Sequence, residues 1–323
     1  MDSASEPHAS DARTVSLDIL KVVMALMVIG LHANFMREYS PTLWWYSGKG
    51  LFRVAVPVFL VTNGYFFAMK SPAGDRKWFR RIISFYLIWM AIYAPIWAPT
   101  IRSTVQLTSL VVFGWFHLWY LAGLIGAALC LVALRRFGTA ALLTAMVLCF
   151  LAGVAVQYAA FEANQWSLVG RALHWNPSHR NFLLFSFPFF TAGYLIQQHD
   201  LGARFGPAIS GTLCLAGLAL LFVEAGGVRA LTGGKGDVDN LLSLGLLAPA
   251  AFLTATKVPL ERAWGRQASR LANGIYFTHP IFLVGLGFEN LLAPTLASAA
   301  TAVASILLSA AIMECPPVAR RLL

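Results

Sequence analysis

The ionisable residues in the first apolar stretch are the strongest candidates for chemistry in this chain. Residues 15–36 are long and apolar enough to cross a bilayer, yet they include Asp18, Lys21 and His32. Ionisable side chains inside a membrane span are costly, so each one marks a functional-site candidate. A neutral imidazole can accept a proton near physiological pH, which makes His32 a candidate general base acting on a hydroxyl group.

Helical spacing predicts how these three side chains are arranged. Lys21 and His32 are eleven residues apart, which places them within about 20° of one helix face and roughly 16 Å apart along it. Asp18 precedes Lys21 by three residues and shares its side, so the two predict an ion pair. In the alternative interpretation, Asp18 and Lys21 lie at the end of the span and snorkel to water, while His32 is a satisfied core histidine.

Further polar side chains occur in apolar stretches, where they are tolerated if they face the interior of a helix bundle. They predict a polar cavity lined by Arg53, Asn63, Tyr65, His117, Trp119, Tyr120, Tyr276 and His279. Three alternatives account for some of these residues singly. Arg53 could snorkel, Asn63 and Tyr65 could join helices by hydrogen bonds, and Trp119 could belong to an interfacial aromatic belt.

The composition places the chain among membrane proteins. Of 323 residues, 58% are hydrophobic and only 12% are charged, whereas soluble domains have about 25% charged residues. Apolar windows predict an all-α, polytopic membrane helix bundle of about ten transmembrane helices, near 15–36, 50–69, 79–99, 116–134, 139–160, 180–198, 205–223, 238–256, 270–289 and 292–313. We divide the chain into a polar N-terminal tail (1–14), one transmembrane domain (15–314) and a C-terminal tail (315–323).

Basic residues predict the orientation of this bundle. Lys and Arg concentrate at both ends of the chain and in the loops after even-numbered spans, so the positive-inside rule places that side, with both termini, in the cytoplasm. One cytoplasmic loop, KSPAGDRKWFRRI (70–82), is especially basic. It is either a topology signal that contacts anionic lipid or a phosphate-binding patch. Because the net charge of +10 lies in such loops, it does not indicate nucleic-acid binding.

The opposite side has a loop, 161–179, in which Trp166, Arg171, His174 and Trp175 are mixed with polar residues. Aromatic faces beside hydrogen-bonding groups suit a sugar or another polyol, although an interfacial tryptophan belt explains the same residues. No Walker-type, hydrolase or metalloprotease motif occurs, and the four cysteines lack metal-ligand spacing, so we expect no metal site. A basic patch on one side, a sugar-compatible loop on the other and a histidine between them favour group transfer across the membrane.

Several segments resemble the acyltransferase-3 family of integral-membrane acyltransferases. LDILKVVMALMVIGLH (17–32) resembles the family's first helix, in which ten residues separate an Arg from a His, with Lys21 in place of the Arg. FRVAVPVFLVTNGYF (52–66) is similar to a second-helix signature that usually ends in Ser-Gly-Tyr, with Asn63 in place of the serine. HLWYL (117–121) and IYFTHP (275–280) resemble segments near the fourth and ninth helices. The family's Arg-x-x-Arg element is matched most nearly by Lys77 and Arg80.

The resemblance implies an acyltransferase of the bacterial inner membrane, with acyl-CoA (usually acetyl-CoA) as the donor and no permanently bound cofactor. The implied acceptor is a hydroxyl of a glycan or of a lipid-linked oligosaccharide, and the partners are these substrates and membrane lipids, with no nucleic acid. Short members O-acetylate lipid-linked repeat units for exopolysaccharide biosynthesis, of the xanthan kind, and we expect this branch.

The resemblance also implies roles for individual residues. His32 would be the general base, and the Asp18–Lys21 pair would help to position the acyl donor. The phosphates of CoA would be held by Lys77, Arg80 and Arg81. Two residues depart from the family pattern: Lys21 lacks the planar fork of an arginine, and an asparagine at position 63 has no hydroxyl that could act as a nucleophile.

A second function class fits some of the same features. Kinked spans with buried ionisable residues also occur in secondary transporters, so the alternative is a transporter or flippase of a polyol or a lipid-linked sugar. The sequence shows no paired broken helices in symmetric halves, which is the pattern typical of many such proteins. Donor binding separates the two classes, because CoA should stabilise the enzyme and not the transporter.

Overall fold

A computed structural model of the chain describes residues 15–70, 72–258 and 265–323. The predicted N-terminal tail, 1–14, and residues 259–264 of the basic loop before the ninth span lie outside the described residues. Within the described part the secondary structure is helical without strands. This confirms the predicted all-α fold.

The described residues of the first half of the chain form six helices. They are α1 (Val15–His32), α2 (Pro41–Ala68), α3 (Pro72–Ile92), α4 (Thr104–Phe113), α5 (Phe116–Phe137) and α6 (Thr139–Glu162). Two of them are irregular. α2 begins with π-helical and 3-10 turns over Trp45–Gly50 and Leu51–Val54, and α3 continues after a bend of 51° into Ala94–Thr100.

In the second half, the residues outside the gap at 259–264 form seven further helices. They are α7 (Leu168–His174), α8 (Phe187–Gln198), α9 (Pro207–Thr232), α10 (Leu244–Ala255), α11 (Gly265–Pro280), α12 (Pro294–Met313) and α13 (Pro316–Leu322). A π-helical turn precedes α8 at Phe182–Ser186, and another follows α11 at Ile281–Gly285. Short helical turns occupy Asn176–Ser178, Leu201–Arg204 and Phe288–Leu291.

Every predicted span coincides with a helical segment of the described chain. Five helices are individually long and apolar enough to cross a membrane, and α3 with its continuation would be a sixth. The number of ten spans and the cytoplasmic termini stay predictions. Several predicted boundaries were wrong: the helices predicted from 50 and 79 begin at Pro41 and Pro72, the span at 205–223 extends to Thr232, and the helix predicted from 238 begins only at Leu244.

The helix predicted from 238 begins late because side chains hold residues 237–243 in a non-helical path. Gln157 of α6 donates to the Asp237 carbonyl (3.0 Å) and accepts from the Asp239 amide (3.0 Å). Glu224 of α9 accepts from the amides of Leu242 (2.6 Å) and Ser243 (2.8 Å). Because these side chains already form hydrogen bonds with the backbone of the segment, it does not need the hydrogen bonds of a helix.

Close helix packing forms the centre of the bundle. α2 and α8 cross at Gly64 and Gly193, where an added Cβ would overlap the backbone carbonyl of Phe190 or Val61 respectively. Small residues permit this close approach between membrane helices. α1 packs along α11, and the residues assigned to the C-terminal tail form α13 against α3.

Candidate active site

Tyr276 of α11 lies between two cavities. The larger has a volume of about 270 Å³. We call it the basic cavity, because its lining includes Lys21, Lys70 and Arg81. The smaller has a volume of about 30 Å³, and we call it the histidine cavity, because its lining includes His32. Tyr276 lines both, so one aromatic side chain forms a common wall.

Lys21 is held in place at the inner part of the basic cavity. Its Nζ lies 2.9 Å from Asp18 Oδ1, 3.4 Å from Ser269 Oγ and 5.4 Å from the centre of the Phe66 ring. Both partners of the ion pair are buried. The predicted pairing of Asp18 with Lys21 is therefore present, and of the two only Lys21 lines the cavity.

The basic loop contributes a different set of residues from the predicted one. Along α3 the cavity is lined by Trp78, Arg81, Ile82 and Phe85, at the i, i+3, i+4, i+7 spacing of one helix face. Arg80 precedes Arg81 by one position and points about 100° away from it, whereas Lys77 lies one turn before Arg81, about 40° around the helix. Both are exposed and neither lines the cavity. Of the three predicted phosphate contacts, the structure places Arg81 at the cavity.

Two further predicted residues meet on the wall of the basic cavity. Asn63 Nδ2 donates to the hydroxyl of Tyr120 (2.8 Å) and to the Phe59 carbonyl (2.9 Å). Tyr65 lies two positions further along α2, about 200° around the helix. It packs against the Phe66 and Phe252 rings and lines neither cavity, which corrects its predicted place.

The three predicted histidines form one cluster, although α1, α5 and α11 supply one each. The His32 and His279 rings are stacked with centroids 5.5 Å apart, and the His279 and His117 centroids are 5.1 Å apart. Of the three, His32 lines a cavity, whereas His117 and His279 are fully buried behind it and line neither. This corrects the prediction that these two side chains line a cavity, because both are packed inside the bundle.

The buried histidines have few polar contacts. His279 Nδ1 lies 2.6 Å from the Tyr276 carbonyl oxygen, and the Tyr276 hydroxyl donates to the His117 carbonyl (3.0 Å). The two ring nitrogens of His117 have no hydrogen-bond partner among the described residues. Within that same part of the chain, no group of three or more His, Cys, Asp or Glu side chains is placed to hold a metal ion.

A charge cluster forms the far wall of the histidine cavity. Arg53 pairs with Asp239, and both side chains are almost fully buried. Arg180 Nη1 and His179 Nε2 each lie 3.5 Å from a carboxylate oxygen of Asp239. The Arg180 guanidinium also lies 4.9 Å from the centre of the Trp119 ring. Arg53 is thus a buried ion-pair partner and does not snorkel to water.

Asp239 and Arg180 were not among the predicted site residues. A signal for them existed, because each falls at the edge of a predicted span, where an ionisable residue is unusual.

A second ion pair lies close to this charge cluster. Lys49 Nζ is 2.7 Å from Asp237 Oδ1. Partial burial raises the pKa of the Asp237 carboxyl, but the ammonium of Lys49 outweighs this effect and leaves that pKa below its usual value.

Comparison with known proteins identifies the family. The chain matches the acyltransferase-3 family, described as an acyltransferase domain, over residues 14–314. It belongs to this family. Together with the apolar helices, membership in the acyltransferase-3 family indicates an integral membrane protein that carries an acyltransferase domain.

Other comparisons carry less information. An amino-acid racemase of Enterococcus faecalis is 29% identical over 144 residues, which cover 39% of this chain and 20% of that protein. The match thus spans about a fifth of the length of this relative. No solved structure matches the chain significantly.

Proposed function

We propose that this acyltransferase moves an acyl group, most simply acetyl, from cytoplasmic acyl-CoA to a hydroxyl of a glycan or lipid-linked exopolysaccharide intermediate at the bacterial inner membrane. One observation carries the proposal: Tyr276 lines both a cavity with basic side chains and a cavity with His32. Donor and acceptor could therefore approach one point from opposite ends of the bundle.

The basic cavity suits the reactive end of the donor. Its volume of about 270 Å³ is just below the range of about 300–1,000 Å³ typical of small-molecule sites. It would hold the thioester arm, while the nucleotide remains at the mouth. Lys70 and Arg81 are exposed side chains on its lining, and such cations bind phosphates. Lys21, paired with Asp18, is buried and would contact the arm of the donor, whose thioester would extend past Tyr276 towards His32.

His32 would take the proton in the transfer step. The acceptor oxygen attacks the thioester carbonyl carbon, and its proton passes to the His32 imidazole. The resulting oxyanion would be stabilised by Arg180, whose guanidinium lines the same cavity. Collapse of this intermediate forms the ester C–O bond and breaks the C–S bond. The departing thiolate then recovers the proton from His32, which restores the neutral imidazole.

The decisive experiment separates donor binding from transfer in the protein purified in detergent. CoA and acetyl-CoA should raise the unfolding temperature of the wild type and of His32→Ala alike, because binding to the native state stabilises it. Transfer of labelled acetyl to the acceptor should fall by about 10²–10⁴-fold in His32→Ala, as expected for loss of a general base.

His199→Ala is the matched control, because this histidine follows α8 and lines neither cavity. It should transfer acetyl at the wild-type rate. Transfer by His32→Ala at the wild-type rate would refute the role of His32. Failure of CoA and acetyl-CoA to stabilise the wild type would refute the acyl-CoA donor and favour the transporter alternative.

A further inference from the structure

A long open groove lies beside the histidine cluster, on the other side of Phe116. It has a volume of about 900 Å³ and runs between α4 and the segment after α7. The histidine cavity, at about 30 Å³, has room for only about one or two water molecules. An acceptor large enough to be a glycan therefore cannot lie within the histidine cavity, whereas the groove can contain several sugar rings.

The side chains of the groove indicate the chemistry of its ligand. Hydroxyl and amide groups come from Thr104, Gln106, Thr108 and Ser109, and aromatic surfaces come from Trp115 and Trp175. Among the described residues, no charged side chain lines the groove. Hydroxyl-rich walls with aromatic faces suit sugar rings, and the absence of a basic partner disfavours acidic sugars, whose carboxylates would be desolvated without compensation.

Phe116 connects the groove with the proposed base. It lines the groove, and the centre of its ring lies 4.3 Å from that of His32. Its backbone has a φ of +48°, a left-handed conformation that costs a non-glycine residue about 1 kcal/mol or more and is found preferentially at functional sites. Gly114, with a φ of +85°, makes this turn possible, because a Cβ there would overlap the start of α5.

We infer that this groove binds the acceptor, and that the acceptor is an uncharged oligosaccharide segment whose terminal hydroxyl reaches His32 past the Phe116 ring. The inference rests on the proposed function and adds the acceptor's class and binding surface. Phe116 would have to turn aside for transfer, which would also keep water from the donor until the groove is filled.

Photo-labelling tests the groove directly. The full-length protein in detergent is labelled with a neutral gluco-oligosaccharide that bears a diazirine, and the labelled peptides are identified by mass spectrometry. We expect labels within residues 100–116 and around Trp175. Unlabelled gluco-oligosaccharide should compete, and oligogalacturonate at the same concentration should not.

Three variants sharpen the result. Trp175→Ala removes a half-exposed aromatic wall and should lower labelling at least about fivefold, which corresponds to about 1 kcal/mol. Val105→Lys places a cation on the groove at a position that is 76% exposed, and oligogalacturonate should then compete. Val112→Ala is the control, because Val112 lies on the same helix outside the groove, and its labelling should match the wild type.

The outcomes separate the two proposals. Labels elsewhere in the chain, the absence of saturable labelling, or equal competition by oligogalacturonate in the wild type would overturn the groove assignment, even if acetyl transfer is normal. Labelling in the groove without acetyl transfer to any tested acceptor would support the groove and refute the proposed reaction.

Discussion

The basic cavity and the histidine cavity share Tyr276 but differ in how their charges are neutralised. In the basic cavity, Lys21 is paired with Asp18, whereas Lys70 and Arg81 are exposed cations with donors available to a ligand. In the histidine cavity, Arg53 and Arg180 both lie against a single carboxylate, Asp239. The first cavity is suited to receive a negatively charged ligand. In the second, both cations are already held by a fixed carboxylate, and the cavity is small.

Because the charges of the two cavities are neutralised differently, we expect their arginines to have different roles. Exposed cations cost little to maintain and contribute when a ligand arrives, whereas buried cations require a fixed partner at all times. We therefore expect Arg53 to act mainly in stability and Arg81, under the proposed function, in donor binding. Arg180 is intermediate, since it lies 3.5 Å from Asp239 and keeps a partly exposed side chain on the histidine cavity.

The largest change in the free energy of unfolding is expected for Asp239→Asn, which removes the carboxylate that Arg53 and Arg180 share. Asp239→Asn leaves Arg53 and Arg180 close together without a counter-charge and should lower the free energy of unfolding by about 3–5 kcal/mol. Denaturant unfolding in mixed micelles measures this change. Asp237→Asn makes the same chemical change at a side chain that is 59% exposed, and it should cost about 0–1 kcal/mol. Equal effects of the two variants would show that the cluster is not a stabilising unit.

An intermediate effect, on the KM for acetyl-CoA, is expected for Arg81 at the mouth of the basic cavity. Arg81→Ala should raise the KM for acetyl-CoA about 10–100-fold with little change in kcat, because hydrogen bonds to charged groups contribute about 1.5–3 kcal/mol. Lys77→Ala and Arg80→Ala remove exposed cations that do not line the cavity, and each should change KM by about twofold or less. A larger effect at either of these positions would place the donor along the outer surface of α3.

The smallest effect is expected for Asn63, on the wall of the basic cavity. Asn63→Ser restores the serine typical of the family at this position. It also removes the hydrogen bond from Asn63 to the Tyr120 hydroxyl. We expect a loss of about 1 kcal/mol in the free energy of unfolding, with acetyl transfer retained. If Asn63→Ser abolished transfer, the amide at position 63 would have to contact a substrate.

Pattern and spacing were sufficient for the features that depend on one helix. The apolar windows located the helices, and the spacing of residues 18, 21 and 32 predicted both the Asp18–Lys21 pair and the position of His32 on a cavity. These inferences succeeded because helix periodicity fixes relative directions within one element. The same periodicity, applied to α3, would have separated Arg81 from Arg80 but not from Lys77, which lies one turn earlier and only about 40° around the helix.

Contacts between helices could not be obtained in this way. The sequence alone determined an all-α membrane protein with the motifs of its family and with His32 as the candidate base. Only the tertiary structure placed Asp239 between Arg53 and Arg180, buried His117 and His279 behind His32, and set Phe116 between that histidine and the groove. The physical reason is that burial and pairing depend on which helix faces meet, and a single helix's periodicity does not specify its neighbours.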